Sequence, residues 1–235
     1  MKRYLGICFE YAMSLAAVLL LAAFTDARVE SEAASHGAVP DSILVRATGD
    51  TFKGTGTDTR FPSTVVIELP SAQPVTLRAL GSGVRKKFVF KVYEGIVYAD
   101  ANAKLPPDPY DALINGDFAK RVVMYFLRNA GMGRIRDAWE DGFSRSLRDA
   151  DITPELRADK AAFLDYFDAD ISKGETIEIT WLPGIGLFTV VAGKRMPVIK
   201  NAPLASRLLA IWLGSDPVSG NLKKDVVRFL DSNGE

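Results

Sequence analysis

The run from Gly81 to Tyr98, Gly-Ser-Gly-Val-Arg-Lys-Lys-Phe-Val-Phe-Lys-Val-Tyr-Glu-Gly-Ile-Val-Tyr, makes this a β-sheet protein before anything else is considered. It opens on a glycine hinge and continues as a strand whose side chains alternate between two faces. Phe88, Phe90, Val92, Ile96 and Tyr98 share one face, interrupted only by Glu94. Arg85, Lys87, Val89, Lys91, Tyr93, Gly95 and Val97 share the other, where cations and a phenol suit an anionic or carbonyl-bearing ligand. A solvated face of an antiparallel strand satisfies the same pattern, and taken alone the pattern favours it.

The chain of 235 residues begins with features of a secretory signal. Lys2 and Arg3 precede an apolar stretch, Met13 to Phe24, too short to span a bilayer comfortably, and Thr25-Asp26-Ala27 offers a small-residue exit. A signal over residues 1–27, cleaved after Ala27, is expected; an uncleaved anchor stays open, while a lipoprotein centred on Cys8 fits less well. The protein is therefore expected to be exported, to the periplasm or beyond. Loss of Cys8 would leave no thiol, so the fold must be held by its core.

The 29 basic and 29 acidic residues balance, and the signal would remove two of each. That argues against a nucleic-acid partner, which requires a basic excess. The single histidine, His36, lies in a polar segment after the expected cleavage point. With no histidine or cysteine expected in the folded body, Ser-His-Asp and Cys-His catalysis and the usual zinc sites fall away, and no cofactor is expected. Chemistry is left to Arg, Lys, Tyr, carboxylates and backbone dipoles.

Residues 28–60 read as a flexible linker with one short strand at Ile43 to Arg46. The Gly54-Thr55-Gly56 spacing is a weak phosphate signal, since neither Lys-Ser, Lys-Thr nor a helix follows. Residues 61–235 read as one domain. Strands are expected at 64–69, 75–80, 121–127, 175–181, 187–192 and 196–199. Ile135, Trp139, Phe143 and Leu147 recur every four residues and predict a helix from about Gly133 to Arg148. Thr153-Pro154 starts another helix, Asn201 caps one over Ala202 to Leu213, and Leu222, Val226, Phe229 and Leu230 mark the last. This order predicts an α+β fold with an antiparallel sheet.

Gly81-x-Gly83-Val84-Arg85, the run to Tyr98, the hairpin from Trp181-Leu182-Pro183-Gly184 to Gly193-Lys194, and Ile211-Trp212-Leu213-Gly214 resemble the chalcone isomerase-like proteins, in particular their exported bacterial branch. The resemblance covers about residues 64–230. It implies an open-faced β-sandwich, a large antiparallel sheet covered by helices with a cleft between. In the plant enzymes of this family an arginine in the Gly-x-Gly-x-Arg region polarises the substrate for intramolecular addition of a phenolate across an enone. The addition depends on orientation and enolate stabilisation more than on a strong base. Arg85 matches that arginine, and Tyr93 falls where those enzymes carry threonine.

The supporting positions depart from the enzymes. The helical tyrosine aligns near Met132 or Gly133, the asparagine near Glu140 or Asp141, and a late Thr or Ser near Ala205, with Ser206 beside it. Members that bind fatty acids pair the arginine with a tyrosine, which Arg85 and Tyr93 resemble. The resemblance thus implies an exported binding protein for a fatty acid or similar amphipathic carboxylate, expected as a monomer that meets a membrane only through its signal or an uncleaved anchor. An isomerase acting on a chalcone-like enone, with Arg85 and Tyr93 catalytic, and a ligand-free envelope scaffold remain as alternatives. Strand geometry constrains the pair: at roughly 3.3 Å per residue, eight residues of straight strand separate Arg85 from Tyr93 by about 26 Å. Either the chain folds back near Lys86 to Phe88, which the preceding glycines favour, or the head-group site is Lys91 with Tyr93.

Overall fold

β-branched and aromatic residues dominate the strands of this chain, and in the computed structural model they join a single antiparallel sheet. Residues 36–37, 43–70, 72–148 and 152–230 are described. The strands are β1 (His36–Gly37), β2 (Leu44–Lys53), β3 (Arg60–Glu68), β4 (Val75–Lys87), β5 (Phe90–Asp100), β6 (Lys120–Phe126), β7 (Thr176–Leu182), β8 (Gly186–Val191), β9 (Lys194–Arg195) and β10 (Val198–Ile199). They lie in the order β1-β10-β8-β7-β6-β5-β4-β3-β2, with β9 on β8. The helices are α1 (Tyr110–Asn115), α2 (Met132–Ser146), α3 (Pro154–Asp165), α4 (Ala202–Leu213) and α5 (Gly220–Asp225).

From Tyr93 to Ala99 β5 is buried on both faces, so the expected wet face fails there, whereas Lys86, Lys87 and Lys91 are exposed as a solvated face requires. Tyr93, Val97, Val122, Met124 and Phe126 face the helices and pack with Trp139, Phe163, Phe167 and Trp212. The opposite face of the curled sheet closes over a second core containing Ile96, Tyr98, Phe61, Val65, Ile67 and Leu77. Each large side chain taken out of water there contributes about 1.5–3 kcal/mol.

The four-residue repeat of Ile135, Trp139 and Phe143 forms the buried stripe of α2, which packs on α4. Gly142 lets the two close, because a Cβ there would lie 2.9 Å from Ile211 Cγ2. The Thr153 hydroxyl accepts from Leu156 N at 3.2 Å, and Asn201 Oδ1 accepts from Leu204 N at 2.9 Å, so both expected caps start their helices.

The linker expectation is corrected by β2. Leu44–Lys53 pairs with β3 along its length apart from one irregularity, because Val45 and Phe52 can pack on the second core. Residues 54–59 are also fixed. Glu94, fully buried, accepts hydrogen bonds from the Thr55 and Gly56 amides, the latter at 3.1 Å. The glycine spacing that hinted at phosphate thus cradles the protein's own carboxylate. His36 likewise belongs to the sheet edge, its backbone paired with Ile199. The expected signal lies outside the described residues.

Candidate functional site

The 81–98 run is two strands. It folds back over Phe88 and Val89, with Lys87 opposite Phe90. Arg85 stands directly opposite Tyr93 on the neighbouring strand, so eight residues of sequence become one cross-strand step. The Arg85 guanidinium carbon lies 5.8 Å from the centre of the Tyr93 ring. The fold-back expected near Lys86 to Phe88 is therefore present.

The same hairpin removes Lys91 from the site. Arg85 pairs with Tyr93 but Lys86 pairs with Lys91, which leaves Val92 as an extra residue in β5. This bulge reverses the alternation beyond it. Val92 joins Tyr93 on the helix side, whereas Lys91 reaches the other side and donates to the Gly56 carbonyl at 2.9 Å. The alternative head-group pair of Lys91 and Tyr93 does not form.

Gly81 and Gly83 serve packing rather than flexibility. A Cβ at Gly81 would meet the Asp225 carbonyl oxygen at 2.4 Å, and one at Gly83 the Asp225 Cβ at 2.6 Å. The end of α5 rests on this glycine floor, and Phe229 N donates to Leu80 O at 2.8 Å just beyond it. Arg85 follows as the first long side chain past the contact.

Between β4, β5 and β6 on one side and α2 and the end of α4 on the other lies a cleft of about 960 Å³. Val92, Met124, Phe126, Ile135, Trp139 and Ile211 make it apolar, while Arg85, Lys86, Lys87, Arg128, Arg134 and Arg145 make it cationic against Asp137 and Asp141. Its volume lies within the range of about 300–1,000 Å³ that suits small organic ligands. Arg145 is held by Asp141 at 3.3 Å and Asp216 at 3.1 Å. Arg85 is half-buried and, among the described residues, forms no ion pair, so neither Glu94 nor Asp141 neutralises it.

Tyr93 is 2 % exposed, and Trp212 Nε1 donates to its oxygen at 2.8 Å. Burial pushes the Tyr93 phenol above its usual range, against the pull of the Arg85 charge and the indole hydrogen bond. The phenol thus stays protonated at neutral pH and can donate to an anion beside Arg85. Trp212 is the site residue to which sequence reasoning gave no role, although it lies in the conspicuous Ile211-Trp212-Leu213-Gly214 run. Met132 and Gly133 begin α2, and Ala205 is buried in α4 away from the cleft lining. Among the described residues, no group of three or more His, Cys, Asp and Glu is placed to hold a metal ion.

The family model described as chalcone isomerase-like matches residues 58–227. Fatty-acid-binding protein 1 of Arabidopsis thaliana is 25 % identical over 181 residues, which cover 66 % of this chain. The chain spans 63 % of that relative's length. The crystal structure of an Arabidopsis thaliana fatty-acid binding protein superposes with a TM-score of 0.58 at 22 % identity, covering 78 % of this chain and 98 % of the other. That likeness establishes the α+β fold, an antiparallel sheet covered by helices.

Proposed function

Because the chain belongs to the chalcone isomerase-like family, we propose that its cleft binds a fatty acid or a similar amphipathic carboxylate. Arg85 and the Tyr93 hydroxyl take the head group, and the tail lies along the apolar side chains of β5, β6 and α2. The observation that carries this reading is a half-buried arginine without a carboxylate partner among the described residues, beside a buried protonated phenol at an apolar cleft. A guanidinium fork and a phenol supply three donors to one carboxylate. The name of the similar Arabidopsis protein supports the ligand class.

Native purification, lipid extraction and mass spectrometry test the proposal. Fatty acid is expected in the extract, and titration of the delipidated protein should give an affinity that falls on Arg85→Ala. A clean, empty protein whose fatty-acid affinity ignores that substitution sinks the idea.

An isomerase would use Arg85 to polarise an enone and Tyr93 as donor. Its supporting groups are missing or displaced here: Ala205 is apolar, and Asp141 is held by Arg145. Hydroxychalcones should therefore cyclise no faster with the protein than without it.

The reading includes export. Lys2 and Arg3 ahead of Met13 to Phe24 support a signal removed after Ala27, and N-terminal sequencing of the secreted protein should begin at Arg28.

A further inference from the structure

Three of the five exposed large apolar side chains among the described residues are consecutive, at the tip of the β4–β5 hairpin: Phe88 at 88 %, Val89 at 83 % and Phe90 at 56 % exposure. Scattered apolar residues on a surface are ordinary, whereas a contiguous set marks contact with something. Backbone preference does not account for Phe88 either. Its φ of 56° is the left-handed conformation for which a two-residue turn normally uses glycine.

Cations bracket this tip. Lys86 and Lys87 precede it, Lys91 follows it, and the Arg128 guanidinium lies 4.8 Å from the Phe90 ring centre. Lys86, Lys87 and Arg128 are exposed and form no ion pair among the described residues. Asp58, the carboxylate that feels the charge of Lys91, is already held by Lys53 at 2.6 Å.

We propose that the β4–β5 tip docks on an anionic lipid bilayer, Phe88 and Val89 entering the interface while Lys86, Lys87 and Arg128 meet the head groups. Apolar residues between cations match the layered chemistry of such a surface, apolar below and negative above. A second copy of this chain fits worse, since it would press like charges together. Lys86, Lys87, Phe88 and Phe90 also line the cleft, so the docked tip sets the cleft mouth at the lipid surface. Docking rests on the tip alone; exchange of a ligand between cleft and bilayer rests on the fatty-acid reading above.

The test uses the full chain with Cys8→Ser and Val89→Cys, carrying an environment-sensitive dye on the new thiol. The control carries the dye through Ala101→Cys, exposed at the far end of β5. The control matters because the apolar N-terminal segment can itself bring the chain to vesicles. With phosphatidylglycerol vesicles the dye at position 89 should shift to the blue and brighten severalfold, while that at 101 stays aqueous. Neutral phosphatidylcholine vesicles, or high salt, should weaken the response at least about tenfold. Adding Phe88→Gly, which relieves the backbone, should reduce the response without lowering the melting temperature. An aqueous dye at 89 on anionic vesicles, an equal response on neutral ones, an equal response at 101, or brightening with protein concentration alone would each overturn the proposal. Fatty-acid titration without vesicles separates its failure from that of the ligand reading.

Discussion

The Trp212 indole donates its N–H to the Tyr93 hydroxyl oxygen at 2.8 Å, which leaves the phenol's own proton for another acceptor. Tyr93→Phe therefore removes two things at once. The indole loses a buried acceptor, at a cost of about 1–3 kcal/mol in unfolding free energy. The cleft loses a donor, which should weaken fatty-acid binding about tenfold. Denaturant midpoints and calorimetric titration read the two effects separately, and Trp212→Phe should lower stability while leaving the donor in place.

Arg85 should not be replaceable by lysine. A guanidinium holds a carboxylate in two parallel hydrogen bonds, whereas an ammonium is a point charge on a flexible stem. Arg85→Ala is expected to weaken binding about a hundredfold and Arg85→Lys about tenfold, read by titration with a fluorescent fatty acid. An Arg85→Lys protein that binds as tightly as the unaltered one would mean that the fork geometry is unused.

Glu94 anchors the 54–59 loop. Glu94→Ala strips the Thr55 and Gly56 amides of their acceptor and should lower stability on the order of 2 kcal/mol, with faster hydrogen exchange at those two amides. Glu94→Gln keeps an acceptor and should lose less. The β4–β5 pairing should keep its protection in both.

Lys120 sets the slope of the stability profile just above neutral pH. Burial lowers its pKa from 10.5 to about 8, with the Asp117 charge opposing. Below pH 8 the folded protein carries the buried ammonium and its full desolvation cost. Just above pH 8, before the unfolded chain's phenols begin to ionise, the unfolded chain binds more protons than the folded one and stability should rise with pH; nearer 10 the raised phenols of Tyr93, Tyr98 and Tyr166 reverse the slope. Lys120→Met should flatten that rise and stabilise the neutral protein on the order of 1 kcal/mol, as measured by urea unfolding at several pH values.

Most of the layer plan was legible because it depends on local pattern. The four-residue repeat from Ile135, the Thr153-Pro154 start and the Asn201 cap all report neighbouring residues. The fold-back was legible only from the distance between Arg85 and Tyr93, because Lys86-Lys87-Phe88-Val89-Phe90-Lys91 contains no Gly, Pro, Asn or Asp to mark a turn, and a phenylalanine occupies the left-handed position. The length of β2 was hidden because Arg46-Ala47-Thr48-Gly49-Asp50 lacks alternation, and pairing with β3 overrides its weak propensity. Arg85 was legible only through the resemblance of Gly81-x-Gly83-Val84-Arg85 to the family's arginine motif. Trp212 was not, since its bond to Tyr93 spans 119 residues and no spacing encodes such a contact.

The extra residue at Val92 makes the hairpin a phase switch. Linear comparison of related chains through this stretch can therefore mislead: a relative lacking one residue between Lys86 and Val92 would have its charged and oily positions trade sides even where every letter matches. Alignments are better pinned at Arg85 and at Tyr93 independently, with the gap assigned to the turn. Across such chains, the length of the intervening segment then becomes a trait as informative as its composition.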